Sequence, residues 1–276
     1  MKIFEQMPIP PDGYTYSILF KICNELSDRE SFEFGQSLWK KISLNDRKNP
    51  VISNSFLKML VKHEDISVCE RFFSQIRKDN VTFTIMMKGY LEHQMPQKAI
   101  GLFSHIDKPD EVSTIVFFSA CAQLKDEKTL ILAKRIFSEL PDQFRRSHLL
   151  LGTIFNMFCR HNDISAAEIL FEHIDRDDII YGSLMKTYND EEQSEKTLQL
   201  FERMKHENIQ ANSITYLLLI KACANIRFLS LCQSIVKQIP HHLLNEHRIQ
   251  NSLVNMWASY FAIRSMNNDQ NIIDLF

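Results

Sequence analysis

Three stretches of this chain nearly repeat one another at a nearly fixed distance. KIFEQM (2–7), GLFSHI (101–106) and QLFERM (199–204) set Phe4, Phe103 and Phe201 at steps of 99 and 98 residues. The same beat carries Cys23, Cys121 and Cys223 (steps of 98 and 102), Met59, Met157 and Met256 (98 and 99), and Tyr90 and Tyr188 (98). Self-similarity at a fixed period means stacked structural units, each too small to bury its own apolar face alone.

Each period resolves into three helical hairpins of unequal length. In 81–110, Val81, Ile85, Met86 and Tyr90 follow helical spacing, Met95-Pro96 breaks the chain, and Ala99, Leu102, Phe103 and Ile106 make a second stripe. Pro96 suits the first turn of that second helix, where a missing N–H costs nothing. The hairpins at 111–147 and 149–178 follow, and the cycle restarts at IIYGSLMKTY (179–188). With only 6 Gly and 8 Pro for tight turns, an all-α chain is expected.

Composition limits function. Apolar residues at 45% and aromatics at 11% describe a folded chain. A net charge of −2 counts against holding nucleic acid mainly by phosphate neutralisation, and leaves room for reading bases one at a time. The six cysteines include no C-x-x-C pair and read as small buried helix residues, which suits an intracellular compartment. No apolar run approaches the roughly 18 residues that would span a bilayer. The first thirteen residues carry one Lys and lack the layout of a signal peptide or an organellar presequence. No glycine-rich phosphate loop occurs, and His241, His242 and His247 lack Cys or acid pairs at ligand spacing. No catalytic residue, metal site or cofactor is expected.

The hairpin words carry a resemblance. VTFTIMMKGY and IIYGSLMKTY are similar to the P motif of pentatricopeptide repeat proteins. EVSTIVFFSACAQL, SITYLLLIKACANI and YTYSILFKIC are similar to the L motif, and SNSFLKML, QNSLVNMW and HNDISAAEILFEHI to the S motif. The chain therefore resembles a pentatricopeptide repeat protein of the P-L-S kind, over about residues 1–261. The implied order is partial P 1–12, L 13–49, S 50–80, P 81–110, L 111–147, S 148–178, P 179–212, L 213–246 and partial S 247–261, with 262–276 unassigned. The tetratricopeptide word W-x2-L-G-x2-Y is absent. The implied fold is a right-handed α-solenoid.

The resemblance implies a non-catalytic module that binds single-stranded RNA, one base per repeat. Its setting would be organellar RNA processing or C-to-U editing, in the mitochondrion by family habit and otherwise in the cytoplasm, with a separate catalytic or editing protein as a further partner. A deaminase domain would need an H-x-E…P-C-x-x-C signature, which this sequence lacks.

Carried over residue by residue, the base-reading pairs are Ser17 with Asn49, Asn54 with Asn80 (or Asp79), and Thr84 with Asp110. The family's pairing habits read these as adenine, pyrimidine and guanine. Ile115 with Ser147, Gly152 with Asp178, Gly182 with Asn212, and Leu217 with Glu246 name no base; Asn251 lacks its partner. Val51, Val81, Val112 and Ile179 would flank bases, and Lys62 and Arg160 would meet phosphate. Glu92 and Asp190 occupy that last position in the P motifs, where like charge would repel phosphate. Two other readings stand beside these: short polar residues at helix starts also serve as caps, and the stack could be a protein-binding scaffold or a decayed repeat fragment with no RNA target.

Overall fold

The computed structural model describes residues 11–26 and 28–266. Most of the partial motif expected at 1–12, and residues 267–276 of the unassigned tail, lie outside them. The chain divides into two compact units, one ending at Phe144 and the other beginning at Arg145. All regular structure among the described residues is helical.

The first unit holds four hairpins: α1 (Gly13–Leu26) with α2 (Arg29–Lys41), α3 (Pro50–His63) with α4 (Ile66–Gln75), α5 (Asn80–Glu92) with α6 (Pro96–Phe103), and α7 (Glu111–Cys121) with α8 (Glu127–Ser138). The second pairs α9 (His148–Arg160) with α10 (Ile164–Phe171), α11 (Asp178–Asp190) with α12 (Ser194–His206), and α13 (Ser213–Ile226) with α14 (Leu229–Gln238). It ends with the short α15 (His241–Leu244) and then α16 (His247–Met266). Within each unit the first helices pack on one another, as α1 on α3, α3 on α5 and α5 on α7, then α9 on α11, α11 on α13 and α13 on α16. Each unit is thus a stack of hairpins, an all-α solenoid.

The sequence starts these helices with side-chain caps. Asp28, Asn49, Asp79, Asp110, Asp126, Ser147, Asp163, Asp177 and Asn212 each accept a hydrogen bond from a backbone N–H of the first turn. At Asp79 the bond is returned, since its N–H donates to Thr82 Oγ1 at 3.1 Å. Four hairpin turns pass through the left-handed region, at Gln94 (φ 58°), Asn162 (φ 56°), Glu192 (φ 59°) and Arg227 (φ 59°), without glycine. The longer hairpins carry an additional turn: a 3-10 turn at Asp46–Lys48, another at Phe144–Arg146, and α15 in the corresponding slot of the third. This explains why the hairpins are unequal, and α15 places His241 and His242 in a short helix.

The 98-residue beat is a packing interval. Tyr90 on α5 donates to Glu70 on α4 at 3.0 Å, and Lys98 on α6 reaches the same carboxylate at 2.7 Å, 5.5 Å above the Tyr90 ring. In the second unit Tyr188, Glu168 and Lys196 repeat this at 2.8, 2.9 and 5.2 Å. The cysteines at the beat positions are buried, and burial pushes the Cys121 and Cys223 thiols up to about 12.

Charge knits the second unit further. Arg176 donates to Glu207 at 2.9 Å and Arg203 donates to it at 3.1 Å, while Arg203 also makes two hydrogen bonds to Glu172. The Arg176 hydrogen bond leads in holding the Glu207 carboxyl at about 2, below its ordinary value of 4.5. A depressed carboxyl stabilises the fold above its unfolded value, and that contribution is lost as pH falls through the folded value. Melting temperature should therefore fall between pH 4.5 and 2, with Glu207→Gln flattening the decline. The group contributes about 1 to 2 kcal/mol after allowance for solvent screening, readable by circular dichroism.

Candidate nucleic-acid interface

Seven first helices begin with an apolar residue that the fold leaves in solvent. In the first unit these are Tyr14, Val51, Val81 and Val112; in the second, Leu149, Ile179 and Ile214. Their exposure runs from 47% to 74%. Three residues further on stand the candidate readers, Ser17, Asn54, Thr84, Ile115, Gly152, Gly182 and Leu217. Steps of three and then four keep residues on one face of a helix, so each first helix presents its apolar residue and its reader side by side.

The first unit gathers several candidates around one cavity. A hollow of about 480 Å³ is lined by Val81, Thr84 and Glu92 of α5, Val112 of α7, Asp110 before it, and Lys58 and Lys62 of α3. Thr84 is 7% exposed, and its hydroxyl donates to the Asn80 carbonyl at 2.8 Å, leaving acceptor capacity on the oxygen. Asp110 caps α7 through Oδ1, which accepts from the Ser113 N–H and hydroxyl at 2.8 and 2.7 Å. Its other oxygen takes no hydrogen bond among the described residues. The hollow therefore offers two aliphatic walls, a hydroxyl, a carboxylate oxygen and a cationic rim.

The Asn54 pair is arranged differently. Asn54 is 7% exposed; its amide donates to Asp79 Oδ1 at 3.1 Å, and its oxygen accepts from the Thr82 hydroxyl at 2.7 Å. Burial works against the charge on Asp79, but the hydrogen bonds from Thr82 and Asn54 outweigh it and hold the carboxyl below its ordinary value. Of the two partners expected for Asn54, the structure brings Asp79. Asn80 instead donates to the Lys108 carbonyl at 2.9 Å.

Ser17 lies 2.9 Å from the Ser55 hydroxyl across α1 and α3, while Asn49 caps α3 through the Val51 N–H at 3.0 Å. Asn212 caps α13 and donates to Asp178 at 2.6 Å. Asn251 is exposed on α16. A Cβ added to Gly152 or Gly182 would meet nothing within 4 Å, so the readers there are open space. Asp190 is neutralised by Lys221 at 2.8 Å, which offsets the like-charge repulsion expected at that repeat.

The hairpins resemble those of known proteins in sequence and in fold. A family profile described as PPR repeat matches residues 81–108, and one described as PPR repeat family matches 176–225. These stretches are similar to pentatricopeptide repeats. A mitochondrial pentatricopeptide repeat-containing protein of Arabidopsis thaliana is 26% identical over 219 residues, covering 77% of this chain and 35% of that protein. A chloroplastic one from the same plant is 26% identical over 270 residues, covering 91% of this chain and 29% of the relative. The chain thus spans about a third of the length of the curated relatives it matches. The crystal structure of the pentatricopeptide repeat protein PPR10 in complex with an 18-nt psaJ RNA element superposes with a TM-score of 0.50 at 16% identity. That match covers 91% of this chain and 43% of PPR10, and shows the solenoid fold.

Within the pentatricopeptide repeat frame, sequence reasoning left out three exposed apolar residues, Tyr14, Leu149 and Ile214. The signal was in the spacing: each stands three residues before a reader position, Ser17, Gly152 and Leu217, as Val81 stands before Thr84. At the last repeat the slot is taken by the exposed Arg248, three before Asn251.

Proposed function

We propose that the chain is a non-catalytic, single-stranded RNA-binding module of the P-L-S pentatricopeptide repeat kind, serving organellar RNA processing or C-to-U editing. The observation that carries this reading is the first unit's hollow, where Val81, Val112, Thr84, Asp110 and Lys62 line one cavity. An unstacked base suits such a hollow. Its faces would lie against the two valines, its Watson–Crick edge would meet the hydroxyl and the carboxylate, and its phosphate would meet the cationic rim. The family's pairing habits assign guanine to Thr84 with Asp110. The RNA-bound PPR10 structure and the organellar names of the relatives support the ligand class and the compartment, with the mitochondrion proposed here.

Selection of the purified chain against a randomised single-stranded RNA pool, at two salt concentrations, tests this. Enrichment with one invariant guanine is expected, and Thr84→Asn should turn that position to a pyrimidine. A pool that stays random would favour the protein-binding scaffold, for which the side-chain-free readers Gly152 and Gly182 speak. Enrichment that Thr84→Asn leaves unchanged would remove Thr84 as a reader.

A further inference from the structure

Family resemblance puts the phosphate contact near the end of the first helix, at Lys62 and Arg160. In this chain Lys62 donates to the Asn24 carbonyl at 2.6 Å, and two equivalent positions hold Glu92 and Asp190. One turn earlier a different row is basic. Seven residues after the exposed apolar residue stand Lys21, Lys58, Lys88, Lys186 and Lys221. A step of seven is about two turns, so each lysine returns to the face of its apolar residue, about 10 Å along the axis.

Three of the five carry an uncommitted charge. Lys21 pairs with Glu25 at 3.9 Å and Lys221 with Asp190 at 2.8 Å. Lys58, Lys88 and Lys186 are exposed and form no ion pair among the described residues. Lys58 and Lys88 line the same hollow as Val81, Thr84 and Val112. Lys186 is separated from Lys88 by 98 residues and repeats its place in the second unit. The two positions seven and eleven beyond the apolar residues and Arg248 hold seven basic residues against three acidic ones, in a chain whose net charge is −2. Cationic charge is concentrated beside the reader positions and balanced by acids elsewhere.

We propose that Lys58 and Lys88, and Lys186 in the second unit, hold the phosphates of a single-stranded RNA whose bases meet the reader positions. This rests on the RNA-binding reading and adds to it the residues that supply affinity without sequence preference. An unpaired ammonium on a flexible stem follows a phosphate whatever base it carries. The row thereby lets an acidic chain bind a polyanion.

The test is the salt dependence of binding by the whole chain. The probe is a fluorescent 20-nucleotide single-stranded RNA pool of randomised sequence, followed by anisotropy across a salt series. The variants are Lys58→Gln with Lys88→Gln, the triple that adds Lys186→Gln, and a charge-matched control, Lys40→Gln with Lys41→Gln, on α2. Removing one lysine from a phosphate should reduce the slope of log affinity against log salt by about 0.7, so about 1.4 for the double and about 2 for the triple. Affinity near 0.1 M salt should fall about tenfold or more for the double, with melting temperature and the base preference at Thr84 unchanged. An unaltered slope in the double, or an equal loss in the control, overturns the lysine row while RNA binding itself stands. A wild-type chain that binds no RNA at low salt, or binds polyglutamate instead, overturns both the row and the RNA reading.

Discussion

Alanine at Phe171 is expected to cost the second unit about 3 to 5 kcal/mol, the range for emptying a buried aromatic site. The ring is 2% exposed, packs edge-on against Tyr181 at 5.1 Å and lies 6.3 Å from Phe155. It also supports the guanidinium groups of Arg176 and Arg203, at 5.5 and 5.2 Å from its centroid. Those arginines hold Glu172 and Glu207, so truncation removes the floor beneath a charge network as well as an apolar contact. In a stack, stability is a sum over neighbouring repeats, and the loss should fall on hairpins 148–178 and 179–212 first. A urea midpoint reads it. A loss below about 1 kcal/mol would mean that the site collapses around the missing ring.

The largest effect on binding is expected from Val81→Asp combined with Val112→Asp. Both side chains are about half exposed, at 53% and 47%, so the fold should tolerate the change with melting temperature nearly unaltered. The hollow would exchange two apolar walls for two carboxylates beside the path of a polyanion. Lost apolar burial and added repulsion together come to about 2 to 3 kcal/mol, or about a 30- to 150-fold weaker complex with single-stranded RNA. Equal affinity in wild type and variant would show that no base enters between these residues.

Much of the fold was legible in the sequence because a solenoid is built from local contacts. The beat through Cys23, Cys121 and Cys223, and the stripe Ala99, Leu102, Phe103, are local patterns, and local patterns specify hairpins. The turns were less legible. Gln94 and Glu192 take the left-handed conformation that glycine would have signalled, held there by the helices on either side. The candidate site was legible as positions and not as contacts. Spacing alone places Asn54 beside Val51, but its bonds to Asp79 and Thr82 join α3 to α5, and no local pattern shows them. Asn49, Asp110 and Asn212 serve as caps in the structure whatever else they do, so a residue type that suits a base also suits a helix start. The lysine row was visible as spacing throughout, and it gains meaning only once Lys62 is seen donating to Asn24.

The Glu70–Tyr90–Lys98 and Glu168–Tyr188–Lys196 clusters set the grain at which this chain could grow or shrink. Each links three successive helices of two hairpins, and one copy occurs per 98 residues. Excising the hairpin 81–110 or 179–212 alone would remove a tyrosine and a lysine and strand the carboxylate of Glu70 or Glu168. Excising or inserting 98 residues would return every glutamate to a tyrosine and a lysine. For lineages that lengthen such a protein, and for engineers who wish to, the interchangeable part is the triplet.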